Sequence, residues 1–103
     1  MNQFENVSVI KKANIYFDGN VSSRSIIFSD GSLKTLGVML PGNYQFNTDD
    51  KELMEIISGA LEVRLAGGDW QRYRDGDSFE VPANSSFEII IHAITDYCCS
   101  FIK

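Results

Sequence analysis

Turn signals interrupt this chain every few residues, and the segments between them repeat with the period of a strand. Leu61-Glu62-Val63-Arg64-Leu65 alternates apolar with polar side chains, and Asn43-Tyr44-Gln45-Phe46-Asn47 alternates polar with aromatic, which puts Tyr44 and Phe46 on one face. Further extended segments are expected at 7–10, 14–17, 25–28, 33–40, 54–57, 70–73, 87–91 and 97–101. They are separated by turns at Asp18-Gly19-Asn20, Ser29-Asp30-Gly31, Pro41-Gly42, Ser58-Gly59, Gly67-Gly68-Asp69 and Arg74-Asp75-Gly76-Asp77. Only 48–54 has a helix-start flavour, with Thr48 as a possible N-cap, and its patterning is too poor for a helix. Many short strands in one chain of 103 residues predict a single all-β sandwich or barrel, without repeats or an interdomain linker.

Bulk chemistry narrows the function. The net charge is −5 and no basic stripe is present, which argues against a nucleic-acid polymer as partner; a small anionic substrate needs only one or two placed cations. No run of about 18 apolar residues exists to cross a membrane, and the first residues lack the pattern of a secretory signal, so a cytoplasmic location is expected. Cys98 and Cys99 are adjacent, and strand neighbours point to opposite faces. They are therefore expected as reduced thiols, neither a disulfide nor a zinc pair.

The stretch from Gly76 to Phe87 carries the most specific spacing. It reads Gly76, five residues, Pro82, one residue, Asn84, two residues, Phe87. This resembles the second motif of metal-binding cupins, in which a second Gly stands at the Asn84 position and a His at the Phe87 position. Upstream, Glu52 is followed by six residues and then Gly59, the spacing of the first cupin motif between its acidic ligand and its turn glycine. Counting back from Glu52 places Phe46 and Thr48 where that motif has its two histidines. The resemblance implies a single-domain cupin-type β-barrel (double-stranded β-helix, jelly-roll-like) over 1–103, with 1–13 a peripheral N-terminal extension. Of four expected ligand positions, only Glu52 keeps a ligand-type side chain, and a divalent metal of the zinc type needs about three or four donors. His92, the only histidine, falls out of phase with Phe87, Ile89 and Ile91 and is expected to face away. No functional metal is expected.

Further segments fit a narrower family. Gly37-Val38-Met39-Leu40-Pro41-Gly42-Asn43-Tyr44-Gln45-Phe46, Ile57-Ser58-Gly59-Ala60-Leu61, Phe79 through Phe87 and Tyr97-Cys98-Cys99, in that order, resemble the bacterial pyrimidine/purine nucleoside phosphorylase family of small cupins. The resemblance covers about 14–103. It implies metal-independent phosphorolysis of many purine and pyrimidine nucleosides to free base and ribose 1-phosphate, with nucleoside and inorganic phosphate as substrates. It implies no cofactor, and analogy with other small cupins implies a homodimer.

Phosphorolysis passes through an oxocarbenium-like sugar. It needs a seat for phosphate, negative charge near the sugar and a surface for the base. Tyr44, Phe46 and Phe87 would supply an aromatic wall, and stacking tolerates any base because every base has a π-face; the same alternation would also suit a plain core. Glu52 is the candidate for contact with the sugar or the transition state, with Glu55 as a rival and a solvated loop position as the alternative. Thr48, Tyr97 and Cys99 complete the substrate-binding set, Tyr97 as a hydrogen-bond donor. No His is placed to activate Cys99 as a nucleophile. For phosphate, Lys34 and Thr35 come first, with Arg24 and Arg64 behind. Two other readings share these residues: a non-catalytic cupin binding a small ligand, and a metal cupin using Glu52, Thr48 and Asp50.

Overall fold

The computed structural model describes residues 2–103. Nine strands carry the fold: β1 (Ser8–Val9), β2 (Asn14–Tyr16), β3 (Val21–Ile27), β4 (Leu33–Met39), β5 (Gly42–Asn47), β6 (Lys51–Leu65), β7 (Trp70–Arg74), β8 (Ser78–Val81) and β9 (Ser86–Ile102). The one helical piece among the described residues is a 3-10 turn, Phe17–Gly19. All ladders are antiparallel. Hydrogen bonding runs β1-β3-β4-β9-β6-β7, while β2 pairs with β3, β5 with β9, and β8 with β6.

Two long strands organise this arrangement. Strand β9 pairs with β6 along one edge; its other edge pairs first with β5 (Phe46↔Phe87, Tyr44↔Ile89) and then with β4 (Gly37↔Tyr97, Thr35↔Cys99). Strand β6 likewise divides its free edge between β8 and β7. The sequence reads each long strand as two short ones, because Gly59 and the polar residues near Asp96 look like breaks. Both are bends within continuous strands. The β6–β9 register shifts between Ile56 and Leu61, and Gly59 adopts φ +138 opposite Thr95. A Cβ on Gly59 would collide with the Thr95 hydroxyl, so the strands approach there more closely than any side chain permits.

The inner face of the sheet holds the core. Ile89, Ile91, Leu61, Val63, Met54, Ile56, Met39 and Val81 are all buried, at roughly 1.5–3 kcal/mol for each large apolar side chain. The expected alternation holds on β9, where Phe87, Ile89 and Ile91 are buried and His92 is exposed. Segment 48–54 contains no helix. Thr48 is instead a buried brace: its hydroxyl donates to the Pro82 carbonyl at 2.7 Å and accepts from the Ser85 amide at 3.0 Å. In the Gly76-to-Phe87 stretch, Gly76 (φ +85) and Asn84 (φ +53) both take left-handed backbone, which explains why Asn serves at a motif position otherwise held by Gly. Cys98 and Cys99 are free thiols.

Candidate functional site

One cavity opens on the inner face between β2, β3, β4, β5, β6 and β9, with a volume of about 360 Å3, inside the range of small-molecule sites. Its wall is aromatic. Phe46 and Phe87 pair directly across the β5–β9 ladder and stack with ring centroids 5.4 Å apart and planes at 24°. Tyr16, at the end of β2, stands edge-on to Phe46 at 6.3 Å and also lines the cavity. The following residue, Phe17, packs on Tyr44 at 4.9 Å and on Phe46 at 5.4 Å. Phe17 and Asp18 both have positive φ, an unfavourable conformation for a bulky residue that is held here by that packing.

Opposite the wall lies a polar floor built by register. Across β3-β4-β9, Ser23 pairs with Gly37 and Gly37 with Tyr97; one row over, Ser25 pairs with Thr35 and Thr35 with Cys99. Residues facing one another across a ladder share a sheet face, so these side chains converge. Gly37 is required at the centre: a Cβ there would lie 2.8 Å from both the Ser23 Cβ and the Tyr97 hydroxyl and would collide with the Ser22 carbonyl. The Tyr97 phenol therefore lies across the vacant side of Gly37, towards Ser23. Asn14 secures the far edge by donating its amide to the hydroxyls of Ser23 and Ser25, both at 3.2 Å.

Glu52 enters at the start of β6. Its Oε1 accepts a hydrogen bond from the Cys99 thiol at 3.5 Å. Burial raises its pKa above the ordinary carboxylate value; the Cys99 hydrogen bond offsets part of the shift and the neighbouring Asp50 adds to it. Burial likewise pushes the Tyr97 phenol and the Cys99 thiol far up, with the Glu52 charge a further cause for both. Tyr97 and Cys99 stay protonated at neutral pH, so Cys99 is a donor and not a thiolate nucleophile.

Several residues singled out in the sequence are thus brought together: Phe46, Phe87, Glu52, Thr35, Tyr97 and Cys99 all line the cavity. Others lie elsewhere. Tyr44 is buried beneath the wall and donates its hydroxyl to the Leu40 carbonyl at 2.7 Å. Thr48 is occupied by the Pro82 and Ser85 backbone. Lys34 points to the outer face, its ammonium over the rings of Phe4 and Phe28 at 5.4 and 5.5 Å. Arg24 donates to the Lys11 carbonyl, and Arg64 pairs with Glu88 at 2.7 Å. Glu55 is exposed. Lys103 is the one cation among the described residues that line the cavity, beside the carboxylates of Asp49, Asp50 and Glu52. Among the described residues no three His, Cys, Asp or Glu side chains form a group able to hold a metal ion.

Sequence reasoning missed Tyr16, Ser23 and Asn14. A usable signal existed for Ser23: Val21, Ser23 and Ser25 alternate into the inner face, but the polar run Ser22-Ser23-Arg24-Ser25 hides that period. The turn at Asp18-Gly19-Asn20 is signalled locally, but nothing local announces that Phe17 joins it in left-handed backbone and so delivers Tyr16.

Comparison with known proteins identifies the family and the fold. The family model for pyrimidine/purine nucleoside phosphorylase matches residues 11–101. Relatives of that name from Chlorobium chlorochromatii (strain CaD3) and Geotalea daltonii are 65% and 61% identical, over 99% of this chain and 99% of theirs in each case. A crystal structure of a protein of unknown function from Acinetobacter sp. ADP1 superposes with a TM-score of 0.93 at 44% identity, covering 97% of this chain and 98% of that one. An RmlC-like cupin from Shewanella frigidimarina NCIMB 400 superposes with a TM-score of 0.72 at 16% identity, over 98% and 93% of the two chains, and shows the cupin fold. This chain is a cupin-type β protein and belongs to the pyrimidine/purine nucleoside phosphorylase family.

Proposed function

We infer that this protein is a nucleoside phosphorylase, a pentosyltransferase that cleaves purine and pyrimidine nucleosides with inorganic phosphate to free base and ribose 1-phosphate. The observation that carries the reading is one cavity, in a chain of this family, that combines a stacked aromatic wall with a half-buried carboxylate. In the reaction an oxygen of hydrogen phosphate bonds to C1′ of the ribose as the C1′–N bond breaks. The bonding pair leaves with the base, and the proton brought by phosphate ends on the base nitrogen.

Two demands of that step, a surface for the base and negative charge near the sugar, have residues in the cavity. Phe46, Phe87 and Tyr16 offer π-surface, worth about 1–3 kcal/mol per stacked base and indifferent to which base it is, which suits broad specificity. Ionised Glu52 accepts hydrogen bonds from ribose hydroxyls, and its negative charge in a poorly hydrated site stabilises the oxocarbenium-like sugar. No resident metal or organic cofactor is needed in this scheme; phosphate is the co-substrate. A second copy of the chain is the partner we assign to the outer face, where Ile15, Val38 and Ile94 stand exposed. Sedimentation finding only monomer at micromolar concentration would remove that assignment. The site of action we assign is the cytoplasm, where both substrates occur.

The test is incubation of purified protein with uridine or adenosine, with and without phosphate, and chromatography of the products. Phosphate-dependent release of uracil and adenine is expected. Nucleoside binding without base release would make the protein a non-catalytic ligand-binding cupin.

A further inference from the structure

The cavity presents an unusual problem for a phosphate anion. It is lined by three carboxylates (Asp49, Asp50 and Glu52), and Lys103 at the chain end is the one cation among its described residues. Lys34 and Arg24 are engaged on the outer face. An anion entering here cannot be held by a cation cluster. What the floor offers instead is neutral: the hydroxyls of Ser23, Thr35 and Tyr97, all from buried residues, brought side by side on adjacent rows of β3, β4 and β9. Asn14 donates to Ser23 and Ser25, which occupies one acceptor position of each hydroxyl from outside; Ser23 and Tyr97 are hydrogen-bonded to each other, so that pair keeps one proton to turn into the cavity. The Cys99 thiol sits between this floor and Glu52: it pairs with Thr35 in register and donates to the Glu52 carboxylate at 3.5 Å.

We propose that Ser23, Thr35 and Tyr97 form a cation-free seat for a protonated tetrahedral oxyanion, and that Glu52 beside it accepts a hydrogen bond from the anion's own O–H. The selectivity follows from donor and acceptor count. Hydroxyl donors bind the unprotonated oxygens of any such anion. The carboxylate is an acceptor only, so it repels an anion that carries no proton and receives a hydrogen bond from one that does. Hydrogen phosphate and arsenate carry a proton at neutral pH; sulfate does not. The seat therefore admits phosphate and arsenate and rejects sulfate of nearly the same size and charge. The burial that keeps Tyr97 protonated preserves it as a donor at every pH of interest. This inference deepens the phosphorylase reading and rests on it for its purpose, but its test does not depend on turnover.

The experiment is calorimetric titration of the protein with inorganic phosphate, arsenate and sulfate at pH 7, alone and with a saturating nucleoside analogue that lacks a cleavable bond. Phosphate and arsenate are expected to bind with similar affinity, and sulfate at least tenfold more weakly. Ser23→Ala and Thr35→Val should each weaken phosphate about tenfold or more, as loss of a hydrogen bond to a charged group does. Thermal unfolding of both variants checks that they fold, and the two substitutions lie on different strands. Glu52→Gln, whose amide can also donate, should narrow the gap between phosphate and sulfate. Equal binding of sulfate and phosphate to the parent protein overturns the proposal, as does undiminished phosphate binding in both hydroxyl variants. Phosphate binding absent in every mixture overturns it as well. If the anion pattern holds but no base is ever released, the seat stands and the phosphorylase reading falls.

Discussion

Replacing Gly37 by Ala isolates the geometry on which the polar floor depends. The residue has no unusual backbone conformation to lose, so the whole effect of the added methyl is steric. That methyl would lie 2.8 Å from the Tyr97 hydroxyl and 2.8 Å from the Ser23 Cβ, and it would collide with the Ser22 carbonyl. The phenol could swing away, but the Ser22 carbonyl belongs to the β3 backbone and the Ser23 Cβ is fixed to it. Relief therefore requires β3 and β4 to separate locally. Overpacking of this kind costs about 1–3 kcal/mol, and a backbone obstacle places Gly37→Ala near the upper end, about 3 kcal/mol. For a domain of this size each kcal/mol lowers Tm by about 4–8 °C, so a fall of about 12–24 °C is expected by circular dichroism. Gly31→Ala is the control: nothing lies within 4 Å of its Cβ position, and the cost there is only that of a left-handed backbone (φ +85), about 1–2 kcal/mol. Gly37→Ala should also displace the Tyr97 hydroxyl and raise KM for phosphate more than KM for nucleoside. A Tm within about 5 °C of the parent protein would refute the close packing of Tyr97 across Gly37.

Four further outcomes follow from named contacts. Because the pKa of Glu52 is raised above 4.5 by burial, its contribution to stability is full below that value and is lost as pH rises through the raised value. Urea unfolding across pH 4–8 should show Glu52→Gln losing less stability with rising pH than the parent; identical slopes would contradict the burial of that carboxyl. For the same reason the acid limb of kcat/KM should lie above the ordinary carboxylate range and be absent in Glu52→Gln. Thr48→Val strands the Pro82 carbonyl and the Ser85 amide, so unfolding free energy should fall by about 1–3 kcal/mol, read from urea midpoints. Phe87→Leu removes the ring stacked on Phe46 and should raise KM for purine and pyrimidine nucleosides alike; an effect confined to one base class would argue against stacking as the means of base recognition.

Much of this was legible in the sequence because strand alternation and turn chemistry are local. The spacing from Glu52 to Gly59 and from Gly76 to Phe87 is enough to bring Glu52, Phe46 and Phe87 together, since motif residues on paired strands face one interior. The phosphate candidates part company for a physical reason: the parity of β3 and β4 turns Lys34 and Arg24 outward, and turns Thr35, expected beside Lys34, inward together with Ser23. Thr48 occupies a ligand position in the motif, yet its hydroxyl is spent on the backbone of Pro82 and Ser85, a contact 34 residues away in the chain that no local pattern encodes. Tyr16 depends on two consecutive residues in left-handed backbone, held by rings from β5. Long-range packing of that kind has no signature in the residues that adopt it.

The most direct test of the central claim is product identity. Phosphorus NMR of a reaction containing protein, uridine and inorganic phosphate should show the phosphate signal falling as a ribose 1-phosphate signal rises, one for each uracil released. Uracil released without consumption of phosphate would mean that water is the nucleophile, and would contradict the account.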